Sequence, residues 1–116
     1  MAEIHLSRDV LSALQEVMEG EYSALLDTFL ADSESRLQQL RNAQSPAQII
    51  EAAHSFKGSS SNLGALRLAE LCCLLERQAK DNPLGDVQPL IADIVGEFAL
   101  VRPLYEAERQ RSVTES

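Results

Sequence analysis

Tryptophan is absent from this chain, and phenylalanine and tyrosine are scarce, so aromatic residues make up only 4 % of it. Leucine and alanine dominate the apolar set, as they do where helix packs on helix. No run of about 18 apolar residues occurs, which excludes a membrane-spanning helix. The start, Met1-Ala2-Glu3-Ile4-His5-Leu6, lacks the basic region and apolar core of a signal peptide. A cytoplasmic protein is the expectation. Positive charge is also short: Lys and Arg number 10 against 18 Asp and Glu, a formal net charge of -8. No basic stripe offsets this, so nucleic-acid phosphates are not an expected partner. The only cysteines, Cys72 and Cys73, are neighbours. On a helix they point about 100° apart, which excludes a bridge between them. No ligand spacing joins them to His5 or His54, so no metal site is expected.

What is present is helical periodicity. The 116 residues suit one domain, 1–116, with one core. Ser7 caps a short helix from Asp9 to Met18, with Leu6, Val10, Leu11, Leu14 and Val17 on its apolar side. A second helix covers Glu21 to Asn42. Tyr22, Leu25, Leu26, Phe29, Leu30, Ser33, Leu37 and Leu40 recur along it at helical spacing. Ser45-Pro46 starts a third helix that reaches Leu63. Gly64 can stop it in a left-handed turn. A fourth covers Leu66 to Asp81. The turn Asn82-Pro83-Leu84-Gly85 follows. Asp86 caps a fifth helix from Val87 to Arg109, in which Pro103 predicts a kink or a break. Residues 110–116 are expected to fray. No strand-period runs or repeats occur. The fold class is all-α: an antiparallel up-down-up-down four-helix bundle, core about 21–109, with a short extra helix at the start.

The third helix holds the chemistry. On a 3.6-residue period, Ile49, Ala52, Ala53, Phe56, Ser60 and Leu63 share the core side. His54, Lys57, Gly58 and Ser61 face the other way. Gly58 and the run Ser59-Ser60-Ser61 lower helix propensity, an interior glycine costing about 1 kcal/mol against alanine. Something other than helix stability favours them. Folding the third and fourth helices into a hairpin at Gly64 puts His54 level with residues near Leu75. Glu76, next to Leu75 and more peripheral, is the candidate neighbour of His54, and Lys80 follows one turn later and can pair with Glu76. A neutral imidazole is a good nucleophile towards phosphorus. A carboxylate that accepts a proton from Nδ1 fixes the tautomer and leaves Nε2 to attack. Gly58, at i+4, leaves room beside the ring. Ser61 extends that opening.

His54-x-x-Lys57-Gly58-x-Ser60-x-x-Leu63-Gly64 resembles the signature of the histidine-containing phosphotransfer (HPt) domain. The helix order and chain length fit that family over most of the chain. The resemblance implies a four-helix bundle that relays a phosphoryl group between aspartates of receiver domains, one in a hybrid sensor kinase and one in a response regulator. His54 would be the phosphoacceptor, Lys57 the neighbour of the phosphoryl group and Gly58 the clearance position. Glu76 stands where some members carry a glutamine. The protein would be a stand-alone bacterial monomer without autokinase activity, and Mg²⁺ would come from the receiver. Docking needs an apolar patch beside the histidine. Ile50 is the first candidate, joined by Leu11, Leu14 and Arg36. The alternative is a helical adaptor that binds a signalling partner and carries no phosphoryl group. A metal-binding bundle would need carboxylate–histidine pairs at i,i+3 on two helices, which are not present.

Overall fold

The computed structural model describes residues 5–115, with side chains to Ser112. Among the described residues from Arg8 onward, five α-helices follow one another: α1 (Arg8–Met18), α2 (Tyr22–Asn42), α3 (Pro46–Asn62), α4 (Leu66–Asp81) and α5 (Gln88–Glu115), with a 3₁₀ turn, Glu19–Glu21, between α1 and α2. No strand occurs among the described residues. The four long helices pack in a closed ring, α2 on α3, α3 on α4, α4 on α5 and α5 back on α2. Short connections force neighbours to run antiparallel, and the bundle is elongated, 50 × 26 × 21 Å.

Local chemistry sets the boundaries. Ser7 Oγ accepts from Val10 N–H at the start of α1. Ser45 Oγ accepts from Gln48 N–H, and Pro46 fills the first position of α3, where no amide hydrogen is needed. Gly64 sits at φ 79° and turns the chain into α4. Asp86 Oδ1 accepts from Gln88 N–H at the head of α5.

The core is leucine-rich, centred on Leu26, Leu40, Phe56, Leu68, Leu75, Ile94, Val101 and Tyr105. Phe56 meets Phe98 edge-on at 6.5 Å and Phe29 meets Tyr105 at 4.9 Å, tying α3 and α2 to α5. Val17, on the expected apolar side of α1, is instead substantially exposed at the end of that helix, and Leu104 on α5 is partly so.

Helix α5 differs from expectation at two places. Pro103 does not break it, because the residue faces solvent and the turns on both sides are held by buried Val101 and Tyr105. It also continues past Arg109 to Glu115. Ser112 is buried, and Arg111 Nη2 donates to Glu108 Oε2 at 2.7 Å and to Gln15 Oε1 at 3.2 Å, so the last turns pack against α1.

That packing is part of a clasp. Glu108 on α5 accepts from Tyr22 Oη at 2.8 Å, from Arg8 Nη1 at 2.8 Å and from Arg111. Burial pushes the Glu108 carboxyl up, but the bonds from Arg111, Arg8 and Tyr22 outweigh burial and hold it at about 2. Burial and the same carboxylate push the Tyr22 phenol well above its ordinary value. Helix α1 is latched at its other side too, where Ser7 N–H donates to Gly64 O at 2.8 Å. A methyl group at Gly64 would lie 3.1 Å from Val10 Cβ and 3.2 Å from Ser7 O. His5 also reaches α5, its Nδ1 lying 2.7 Å from Glu97 Oε2.

Candidate functional site

His54 lies midway along α3, on the face opposite Ala52, Ala53, Phe56 and Ser60, all of which are buried. Its side chain is 68 % exposed. Across the α3–α4 groove stands Glu76, whose side chain is only 9 % exposed. Glu76 Oε2 lies 3.0 Å from His54 Nδ1. Lys57 Nζ donates to Glu76 Oε1 at 2.9 Å, and Lys80 Nζ donates to Oε2 at 3.2 Å. Three donors therefore converge on one carboxylate.

The electrostatics follow from that convergence. The bond from Lys57, with those from Lys80 and His54, overcomes burial and holds the Glu76 carboxyl at about 2. The same bond pushes the Lys57 ammonium above its ordinary value. An ionised carboxylate has no proton to donate. The hydrogen between Glu76 and His54 must therefore sit on Nδ1, and in the neutral ring Nε2 carries the lone pair. The arrangement presents an exposed, tautomer-fixed nucleophile with an ammonium one helical turn away.

Gly58 is exposed on this face, and a methyl group built on it meets nothing within 4 Å. The fold itself thus gives no reason for a glycine here. Ser61 is exposed on the same side. Ser60, although inside the motif, faces the core, and its carbonyl accepts from Ala65 N–H at 2.8 Å in the turn to α4.

The docking candidates divide. Ile50 is half-buried on α3, one turn before His54. Arg36 is half-buried and borders a groove of about 450 Å³ between α2 and α3, together with Glu51 and Ser55. Leu11 is fully buried and offers a partner nothing, because α1 turns this residue into the core under its own latch. Leu14, partly buried, packs against the same core. Sequence reasoning assigned Lys57 to the phosphoryl group alone and did not foresee its bond to Glu76. The signal was there: Glu76, brought level with His54 on the facing helix, is also within reach of a long side chain one turn on.

Comparison with known proteins places this geometry. A family profile described as the Hpt domain matches residues 24–110. The chain belongs to the Hpt family. Among curated proteins it is similar to the phosphorelay protein LuxU of Vibrio harveyi, 26 % identical over 95 residues that cover 79 % of this chain and 83 % of that one. Among solved structures it is similar to histidine-containing phosphotransfer protein B (HptB) of Pseudomonas aeruginosa PAO1. That likeness has 49 % identity and a TM-score of 0.88, covering 92 % of this chain and 96 % of the other. The Hpt match spans α2, α3, α4 and most of α5, so the face bearing His54 lies within it.

Proposed function

We propose that this Hpt protein accepts a phosphoryl group on His54 Nε2 and passes it on. The chain is a phosphorelay intermediate, as its family and its likeness to LuxU and HptB support. The observation that carries the residue assignment is the contact between Glu76 Oε2 and His54 Nδ1 beneath an exposed ring.

In the first half-reaction the Nε2 lone pair forms a bond to phosphorus. The acyl-phosphate P–O bond of a receiver-domain aspartate breaks, and its electron pair leaves on the aspartate carboxylate. The ring gains a positive charge and keeps its Nδ1 hydrogen, which Glu76 stabilises. In the second half-reaction an aspartate oxygen of another receiver attacks phosphorus, and the N–P bond returns its pair to Nε2. Lys57 offsets charge on the phosphoryl oxygens. Gly58 and Ser61 let the receiver close over the ring. Ile50 and Arg36 border the docking face.

The partners are receiver domains of a hybrid sensor kinase and of a response regulator, met in the cytoplasm by a monomer. Mg²⁺ belongs to the receiver. No helix among the described residues is long and apolar enough to cross a membrane.

The test is incubation with a phosphorylated receiver and Mg²⁺, followed by assay for acid-labile, alkali-stable phosphate. Label on the wild-type chain and none on His54→Gln is the expected result. Transfer that survives His54→Gln overturns the assignment.

A further inference from the structure

Two lysines hold one carboxylate at this site, and they come from different helices. Lys57 lies on α3, one turn beyond His54, and takes Glu76 Oε1 at 2.9 Å. Lys80 lies on α4, one turn beyond Glu76 itself, and takes Oε2 at 3.2 Å, the oxygen that His54 Nδ1 also approaches. If Lys57 were the only cation, its departure for a phosphoryl group would strip a nearly buried carboxylate of its counter-charge. Leaving such a group unpaired is costly, so Lys57 would be held where it is.

We propose that Lys80 is a positioning residue that keeps Glu76 anchored against His54 while Lys57 moves to the phosphoryl group. The proposal rests on His54 being the phosphoacceptor. Geometry supports the division of labour. Lys57 and His54 are neighbours at i,i+3 on one helix, about 5–6 Å apart at Cβ, so the ammonium reaches a group on Nε2 by rotating its own side chain. Lys80 is tied at i,i+4 to Glu76 and moves with it. The charges also match. With a phosphoryl group in place, two ammonium groups and the cationic ring balance the carboxylate and a doubly charged phosphoryl group. Without Lys80 the phosphorylated site carries an excess negative charge, and one lysine must serve two anions.

The test uses the full chain with phosphoramidate as the donor, so no partner protein enters. The Nε2 lone pair forms the N–P bond, the P–N bond of phosphoramidate breaks, and its nitrogen leaves as ammonia with one proton from water. Phosphohistidine formation is followed by ³¹P NMR, and thermal melts verify the fold. Lys80→Met is expected to slow formation about fivefold, the weight of one net hydrogen bond. Lys80→Arg is expected to restore it. In a Lys57→Ala background, Lys80→Met should slow formation by more than about fivefold, because it then removes the last ammonium group from Glu76. Nitrogen-15 spectra of the unphosphorylated Lys80→Met chain should still show the Nδ1–H tautomer of His54, since Lys57 then holds Glu76.

A wild-type rate in folded Lys80→Met overturns the proposal. So does an unchanged rate on adding Lys80→Met to the Lys57→Ala background, which would show that Glu76 needs no ammonium group to stay against His54. Loss of the tautomer in the unphosphorylated variant overturns it as well. Should Lys80→Met fail to fold, Lys80→Gln carries the same comparison. A wild-type chain that takes no phosphoryl group on His54 overturns both this proposal and the phosphoacceptor reading, and it shows before any variant is compared.

Discussion

The Tyr105 hydroxyl on α5 donates to the Leu63 carbonyl at 2.6 Å, at the C-terminal end of α3. Both groups are buried, so the end of the helix that carries His54 is fixed from across the bundle as well as by the backbone bonds of its own turn. Burial pushes the phenol of Tyr105 far above its ordinary value, and it donates at any pH the protein meets. Tyr105→Phe keeps the ring against Phe29 and removes only the donor. The expected loss is about 1–2 kcal/mol of stability, read by urea denaturation. A variant as stable as wild type would show that water replaces the bond.

Gly64 offers a sharper test of the same end. Its φ of 79° and the 3.1 Å approach a methyl group would make to Val10 are two separate penalties. Gly64→Ala should destabilise the chain by about 2 kcal/mol. It should also loosen α1, seen as faster amide exchange at Ser7 and Leu11. Exchange unchanged at these amides would mean that α1 is held by the Glu108 clasp alone.

Glu108 predicts an acid limb in stability. Its carboxyl titrates near about 4.3 in the unfolded chain and at about 2 in the fold. A lowered folded value means the stabilisation is present in full above the unfolded value. It is lost as pH falls towards the folded one, between about pH 5 and 2. Glu76, also held at about 2, contributes in the same window. Glu108→Gln should cost about 3 kcal/mol at pH 7, since it leaves two arginines facing a neutral amide. It should also flatten the acid limb. Denaturation midpoints at several pH values measure both, and an unaltered acid limb would assign the pH dependence elsewhere.

Gly58→Ala separates stability from function. The fold has open space at this position, so alanine should stabilise α3 by about 0.5–1 kcal/mol. The same methyl group beside His54 should slow phosphoryl transfer from a receiver severalfold. A melt and a transfer assay on one preparation decide the matter. A variant both more stable and equally fast would leave the glycine unexplained.

Much of this architecture was legible in the chain, because the signals were local. Ser45-Pro46, Ser7 and Gly64 each act through backbone geometry within a turn, and the structure places helix boundaries at all three. The Hpt fold followed from the helix order and the motif around His54. What escaped was long-range. His5 and Glu97 are 92 residues apart, and Tyr22 and Glu108 are 86 apart, so no periodicity pairs them. Leu11 looked available because a short amphipathic helix does not reveal which side its core lies on. The latch between Ser7 and Gly64 decides that, and it joins two segments far apart in sequence. The same long-range packing carried α5 past Arg109.

The adjacent cysteines have a practical consequence. Cys72 is sealed in the core, and burial pushes its thiol up to about 12, whereas Cys73 is half-buried one turn before Glu76. A thiol-selective dye at mild pH therefore meets one reactive position rather than two. The native chain can be labelled at a single point beside the face that bears His54 without engineering. The dye would act as a fluorescent sentinel, its emission changing when a receiver covers that face.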